Sequence, residues 1–363
     1  MPSPPNAASA PPKRFLLIQR DNIGDLVLST PFIRALRTHY PDARIDALVN
    51  SYNAPVLDRN PHVDSVYTYT KWKHRPPGRT LVQHWRQTWR EFSAMRGNDY
   101  DVAVLLNRGY SRHALRLALA SRARDVAGFV DGHRLLERRV NLPVAIAAVD
   151  RQHIVQQAAA LLQVIDARWR GAGQAAEEMP PCELFPDPAL RARLTQELTA
   201  AGILPRSPIV AVQISARKID QRWPAQRFVE LIHALHAKAH CAVLLFWSPG
   251  SEANPFHPGD DAKAQAILDR CRDLPVYGVH ANTLGETVAG FSLAHLMISS
   301  DGGAMHIAAG LQLPIVGMFG ATVLDLWHPW KTRYIALRPP SLDVADVPVA
   351  DALDAACRLL ADA

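Results

Sequence analysis

Two α/β domains, each a mostly parallel sheet covered by helices on both faces, are what this sequence predicts. Three observations carry that expectation. Short apolar runs of strand length alternate with segments of helical periodicity. The alternation lapses once, in a stretch rich in Gly, Pro and Ala, and then restarts. The 363 residues are also more than one hydrophobic core usually organises.

Taken in order, the opening MPSPPNAASAPP has no apolar segment of the kind a signal peptide needs, and residues 1–13 are expected to be a disordered tail. RFLLIQ (14–19) is the first strand. GDLVLSTPFIRALRTH (24–39) carries apolar positions at helical spacing and predicts one helix. RIDALVN (44–50), SVYTYT (65–70), YDVAVLL (100–106) and DVAGFV (125–130) predict further strands, with helices at 80–96 and 111–121. The pattern lapses at 167–188, ARWRGAGQAAEEMPPCELFPDP, where the interdomain linker is expected; this gives a first domain at 14–175 and a second at 176–345. Beyond it come a helix at 188–201, a strand at 207–215, a helix at 224–239, a strand at 241–247 and helices at 260–272 and 284–291. A strand at 294–299, a helix at 303–311 and a strand at 313–319 follow, and the C-terminal segment 346–363 has helical periodicity over 349–361. There is no sequence-level repeat, yet both halves share one order of elements. Two Rossmann-like, doubly wound domains facing across a cleft are the expected architecture, with ligands beyond the carboxyl ends of the strands.

Composition narrows the function classes. Hydrophobic residues make up 48% and charged residues 20%, as in an ordinary soluble globular protein, and no apolar run approaches the roughly 20 residues of a membrane span. Cys182, Cys241, Cys271 and Cys357 lie far apart with no C-x-x-C pair, which argues against a disulfide framework or a zinc site and for a reducing cytoplasm. The net charge of +6 is unevenly spread: residues 71–139 hold 15 Lys/Arg against 6 Asp/Glu, together with Trp72, Trp85 and Trp89. Such a surface suits an anionic partner, whether nucleic acid, phospholipid headgroups or a phosphorylated glycolipid. The plainer reading is a solvated arginine-rich face.

Four stretches carry candidate chemistry, each where a strand gives way to a helix or loop. In SDGGAMHIAAG (300–310), Asp301, Gly302 and Gly303 precede a helix whose first N–H groups and partial positive charge make a seat for phosphate. Glycines there remove Cβ atoms that would hold a diphosphate away; the plainer reading is an Asp-capped turn. His306, one turn in, either faces the phosphate or packs. In QRDNIGDLVLSTP (19–31), Asp21, Gly24 and Asp25 occupy the turn after the first strand. Asp25 is either a first-turn acid or a general base at the mouth of the cleft. In QISARKIDQRWP (213–224), Ser215, Arg217, Lys218 and Arg222 share one loop ahead of a helix with Pro224 at its first position, a set suited to a departing diphosphate or to plain solvation. In FWSPGSE (246–252), Glu252 follows a strand and a Pro-Gly turn, where an acid can hold ribose hydroxyls. No G-x-x-x-x-G-K-[ST] and no G-x-G-x-x-G is present, which removes P-loop and dinucleotide chemistry.

Together these stretches resemble glycosyltransferase family 9, the ADP-heptose:lipopolysaccharide heptosyltransferases, from about Lys13 to Trp330. SSDGGAMHIAAGLQLPIVGMFGAT (299–322) is similar to the family's D-[ST]-G-x-x-H-[LI]-A-A signature followed by a strand and F-G-x-T. IGDLVLSTPFIRAL (23–36) is similar to its opening G-D-[VL]-[LV]-x-[TS]-x-P, and DRNPHVDSVY (58–67) and DRQHIVQQAAALL (150–162) also look like family segments.

The resemblance implies a GT-B fold and an inverting, metal-independent transfer with no cofactor beyond a nucleotide-sugar donor, ADP-heptose. Asp25 takes the catalytic-base position, with Asp21, Asn22 and Gly24 on the acceptor side. Gly302, Gly303, Ala304, Met305 and His306 take the diphosphate cradle, and Asp301 contacts donor hydroxyls. Glu252 falls at a ribose-binding acid and Ser215 at a phosphate-contacting hydroxyl, with Arg217, Lys218 and Arg222 as nearby cations. Gln221 stands where the family usually has Lys, Gly303 where Pro is common, and Ala321 where Pro is usual. The expected partners are an ADP-sugar and the anionic lipid A-core glycolipid, with no nucleic acid. The expected location is cytoplasmic, with peripheral contact at the inner face of the inner membrane. A sugar-nucleotide epimerase of the same architecture and a catalytically silent sugar-nucleotide-binding protein are the alternatives.

Overall fold

Phe15, Leu16, Leu17 and Ile18 are each at most 1% exposed, so the first strand has to be covered on both faces, the condition that goes with parallel sheets. The structure is a computed structural model that describes residues 10–69, 93, 95–171, 178–205, 208–253 and 259–361. It divides into two units, residues 1–180 and 181–363. In the first, β1 (Arg14–Gln19), β2 (Arg44–Asn50), β3 (Ser65–Tyr69), β4 (Val102–Leu105), β5 (Asp125–Val130) and β6 (Leu142–Ala145) form a six-stranded sheet of order β3-β2-β1-β4-β5-β6. Every neighbouring pair is parallel. The second unit contains β7 (Ile209–Gln213), β8 (Ala242–Phe246), β9 (Val276–Val279), β10 (Leu296–Ser300), β11 (Ile315–Met318) and β12 (Tyr334–Leu337). Their order, β12-β11-β10-β7-β8-β9, repeats the first sheet strand for strand, again all parallel.

The helices between the described strands are α1 (Ile23–Val27), α2 (Thr30–His39), α3 (Arg112–Ser121) and α4 (Ile154–Trp169) in the first unit. The second unit has α5 (Pro188–Ala200), α6 (Ala225–Ala239), α7 (Asp261–Arg270), α8 (Leu284–Phe291), α9 (Gly303–Gly310), α10 (Leu324–Trp327) and α11 (Val349–Ala361). None of the described helices is long and apolar enough to cross a membrane.

The expected α/β class and the strand–helix alternation are both present, with instructive differences. The helix expected over 24–39 is broken into α1 and α2. Pro31, near the start of α2, has no N–H to give and its ring crowds the carbonyl four residues back, that of Val27. The Thr30 hydroxyl takes that carbonyl at 2.7 Å. The edge strands β6, β9 and β12 had no clear sequence signal: each has four residues, and β9 contains Gly278. Pro224 is the N-cap of α6, not its first residue. The helix expected at 80–96 and the three tryptophans of the basic block lie almost wholly outside the described residues.

Each core is pinned by aromatic and polar contacts. Trp223 packs edge-on to Phe228 with centroids 4.9 Å apart in the second unit, and Phe15 meets Tyr40 at 5.0 Å in the first. Beneath that pair, the buried Asp166 carboxylate of α4 meets His39 Nδ1 at 2.6 Å and accepts from the Tyr40 hydroxyl at 2.9 Å, tying α2 to α4. Burial and the Asp166 charge push the Tyr40 phenol well above its ordinary range, so it stays a donor. Asp166→Ala strands that hydroxyl without an acceptor and should cost about 1–3 kcal/mol, read as a lower melting temperature. Asp166→Asn, which keeps an acceptor oxygen, should cost less.

Candidate functional site

In both sheets the strand order reverses between the first and fourth strands, β1/β4 and β7/β10. Chains leaving those two strands depart to opposite faces and open a crevice beyond their carboxyl ends. Most of the candidates are among the first polar residues after these strands.

At the β1/β4 end, Gln19 bridges to the next strand, donating to the Leu106 carbonyl at 3.0 Å while its Oε1 accepts from Asn107 Nδ2 at 3.1 Å. Asn107 also donates to the Asp21 carboxylate at 2.7 Å. Asn50, the last residue of β2, and Asn53, just past it, donate to the Asp21 carbonyl at 3.1 and 3.0 Å. The turn 20–22 is thus clamped from two neighbouring strands. Asn22 is exposed and caps α1, and Gly24 is buried.

Asp25, third residue of α1, accepts the Asn22 backbone N–H at 2.9 Å. Its pKa is pushed up to about 6, chiefly by burial; the Asn22 N–H opposes this and the charge of Asp21 adds to it. The bond to Asn22 makes Asp25 the N3 acid of a capping box, and the helix start by itself would lower its pKa. The five-residue α1 is too short to hold its acid down, and desolvation wins.

At the β7/β10 end, Asp301 is not the helix cap. The cap is Gly302, with no side-chain bond to the helix. The Asp301 carboxylate instead accepts from Gln221 Nε2 at 2.8 Å and from the Thr322 hydroxyl at 2.7 Å. Burial raises its pKa, against the Thr322 bond, the nearby Lys218 charge and the Gln221 bond. With the acid turned away, the first N–H groups of α9, those of Gly303, Ala304 and Met305, have no acceptor one turn back. A Cβ on Gly302 would meet no atom within 4 Å, so packing does not demand glycine there. What the glycine leaves is open space in front of an uncapped helix start.

The side chains one turn in do not face that space. Met305 is wholly buried, and His306 is 3% exposed with its Nδ1 unpartnered and its ring near Trp327 at 6.3 Å. Burial, helped by His328, lowers the His306 pKa to about 4, so at neutral pH it brings no positive charge. Of the two readings open for His306, packing is the one the structure supports.

Around the second crevice, Arg217 and Lys218 are exposed. Arg222 donates to the Ala216 carbonyl at 3.0 Å and to Glu252 at 2.6 Å, so two candidates expected to act separately are paired with each other. Asp260, 3% exposed, lies 3.9 Å from Arg222. Ser215 Oγ accepts the Ser248 N–H at 2.8 Å, fastening the β7 loop to the β8 loop. Lys263, which the sequence did not single out, donates to the Ile214 and Trp223 carbonyls at 3.0 and 2.8 Å and so holds both ends of the basic loop. Burial lowers its pKa to about 8. Thr322, Asp260, Asn50, Asn53 and Asn107 were also missed. For Asn50, Asn107 and Thr322 the signal existed: each is a polar residue at or just past the end of a buried parallel strand. Among the described residues no group of three or more His, Cys, Asp or Glu is placed to hold a metal ion.

With this geometry in hand, comparisons with known proteins give consistent results. Residues 88–347 match the profile of glycosyltransferase family 9 (heptosyltransferase). The chain is 26% identical over 319 residues to lipopolysaccharide heptosyltransferase 3 of Escherichia coli K12, covering 86% of this chain and 84% of that protein. It is 25% identical over 329 residues to lipooligosaccharide heptosyltransferase 2 of Haemophilus influenzae, covering 89% and 88%. Among solved structures, a glycosyltransferase family 9 protein from Veillonella parvula superposes with a TM-score of 0.77 at 18% identity, covering 97% of this chain and 98% of that one. The ADP-heptose lipopolysaccharide heptosyltransferase II of E. coli gives 0.73 at 19% identity, covering 96% and 99%. The fold is therefore of the GT-B type.

Gly320, in the loop that leads to Thr322, tests how tightly this end is built. A Cβ there would lie 2.8 Å from the Asp220 carbonyl and 2.9 Å from the Leu342 carbonyl. Backbone oxygens cannot rotate aside, so Gly320→Ala should displace the segment carrying Gln221 and cost about 1–3 kcal/mol, seen in thermal melts. Pyrophosphate binding measured by calorimetry should weaken with it.

Proposed function

The chain belongs to glycosyltransferase family 9, and from that premise we propose that it transfers heptose from ADP-heptose to an inner-core sugar of lipopolysaccharide, with inversion and without a metal ion. The observation that carries the donor half is the uncapped start of α9 beside a diverted Asp301. Three N–H groups and a helix dipole offer fixed positive potential to a diphosphate, and ADP gains negative charge as the glycosidic bond to it breaks. Lys218 and Arg217 add exposed cations and Arg222 a cation held beside them, the role a metal ion fills elsewhere. Glu252 and Asp301 are the acids for donor hydroxyls. Gln221 keeps its hold on Asp301 as a neutral donor, and Lys218 provides the charge that a lysine at 221 would bring.

Asp25 is the general base. With a pKa near 6 it is ionised at neutral pH yet more basic than an ordinary carboxylate, the compromise proton abstraction favours. It removes the proton of the acceptor hydroxyl as that oxygen attacks the anomeric carbon from the face opposite ADP. Asp21, Asn22 and Gly24 shape the acceptor side. The lipid A-core acceptor and a cytoplasmic location against the inner membrane belong to the same reading, and the similarity to lipopolysaccharide heptosyltransferases supports the acceptor. Incubation with ADP-heptose and a heptose-less lipopolysaccharide tests the whole assignment; no transfer, or epimerised donor, would overturn it.

ADP should bind in the presence of EDTA when titrated by calorimetry. Absence of heat, or binding restored only by Mg²⁺, would remove the α9 cradle.

Asp25→Asn should lower transfer by about 10²–10⁴-fold with ADP affinity unchanged. In the wild type, kcat/KM should fall about tenfold per pH unit below pH 6, since only the ionised base works. The stability sign is opposite. The folded pKa lies above the unfolded value, so the ionised carboxylate destabilises the fold above about pH 6. The Asn variant should therefore melt at the wild-type temperature or higher at pH 7. Near-wild-type transfer would make Asp25 a structural acid only.

A further inference from the structure

Six of the seven residues in HRLLERR, 133–139, are exposed, and two of them are leucines: Leu135 is 79% and Leu136 40% exposed. The segment Leu135–Arg139 is a 3₁₀ turn between β5 and β6. A single exposed leucine is ordinary; two adjacent ones rimmed by arginines make the kind of patch that marks an interaction surface.

The turn is built to hold them out. Glu137, 6% exposed, points inward and accepts the N–H groups of Gly132 at 2.7 Å and Asp131 at 3.3 Å. The backbone closes over it, Glu137 N–H to the Arg134 carbonyl at 3.0 Å and Val140 N–H to the Glu137 carbonyl at 2.9 Å. The one acid of the run is thereby turned inward, and the outer face carries leucine, arginine and histidine. Arg134 lies over the Tyr110 ring at 4.8 Å and 3.6 Å from Asp131. Arg138 and Arg139 are exposed and form no ion pair among the described residues. Arg108 and Arg112, exposed on the loop after β4 and at the start of α3, extend the positive field.

Its position in the fold adds to the case. All strands of this sheet are parallel, so the chain leaves β5 at the carboxyl end, where Asp25 also follows β1, and Glu137 ties the 3₁₀ turn to Asp131 and Gly132 there. Tyr110, which supports Arg134, shares the post-β4 loop with Asn107, which holds Asp21.

We propose that residues 133–139 form a docking finger for an anionic bilayer surface. Leu135 and Leu136 enter the boundary between headgroups and acyl chains, and Arg134, Arg138 and Arg139 meet lipid phosphates. Two exposed leucines alone give weak partitioning and three arginines alone give salt-sensitive attraction; reversible membrane binding takes both signals together. A second copy of this chain would bring the same positive charge to the patch, so self-association opposes itself electrostatically. The finger gives the Asp25 edge of the unit a way to reach a lipid-anchored acceptor, and to that extent it rests on the glycolipid reading of function.

The test needs no sugar chemistry, which separates its failure from failure of that reading. The full chain is sedimented with vesicles of phosphatidylcholine alone or mixed with phosphatidylglycerol. The wild type should bind the mixed vesicles, weaken in high salt and bind the neutral ones poorly. Leu135→Ser with Leu136→Ser should reduce partition by about tenfold without changing the melting temperature, and Leu135→Trp should bind at least as well as wild type. Arg138→Glu with Arg139→Glu should remove the salt dependence. Equal sedimentation of the double Ser variant and wild type would overturn the proposal, as would no wild-type binding to mixed vesicles. So would a wild-type dimer that the Ser variant dissociates in size-exclusion chromatography.

Discussion

A parallel sheet whose strand order reverses beside its first strand sends the loops after two neighbouring strands to opposite faces, and the gap between them cannot be filled by either. The reversal occurs twice here, at β1/β4 and at β7/β10, in sheets of identical order. Buried apolar strands end there in polar residues, Gln19 and Asn107 at one and Gln213 and Asp301 at the other. Asp25, in the short helix that follows the first strand, and the start of α9, which follows the tenth, both stand at such reversals.

What the loops then do is decided by hydrogen bonds. At the first crevice, Asn50, Asn53 and Asn107 spend their side-chain donors on the turn that carries Asp21, which leaves Asp25 only local donors at the start of α1, a neighbouring acid and restricted solvent. A carboxylate in that situation becomes more basic. At the second, Gln221 and Thr322 draw the Asp301 carboxylate off the helix start, and the amides behind it stay unclaimed. One crevice thus favours a proton acceptor and the other an anion, a division of labour that suits transfer of a sugar from a diphosphate to a hydroxyl. Lys263 belongs to the same economy of loops, since a single buried amine holds both ends of the basic segment 214–223.

The exposed surface follows a different logic. Glu137 is consumed internally so that the turn above it can be apolar and basic at once. A soluble core has no use for that combination, whereas an anionic interface does.

From the sequence alone came the α/β class, the two-fold repetition of strand and helix, and the strand ends at which the candidate residues stand, because buried parallel strands are continuous apolar runs. Asp25, Asp301 and the Gly302-Gly303 pair were legible for that reason. The breakage of the 24–39 helix was in principle legible too, in Pro31. Tertiary structure decided what depends on residues distant in sequence. It placed Gln221 and Thr322 on Asp301, paired Arg222 with Glu252, and sent His306 into the core, where it is neutral. It also placed the short edge strands β6, β9 and β12, whose four residues carry too little pattern to announce themselves but find hydrogen bonds on a sheet already formed. Periodicity reports which side of an element is buried, and only the fold determines what it is buried against.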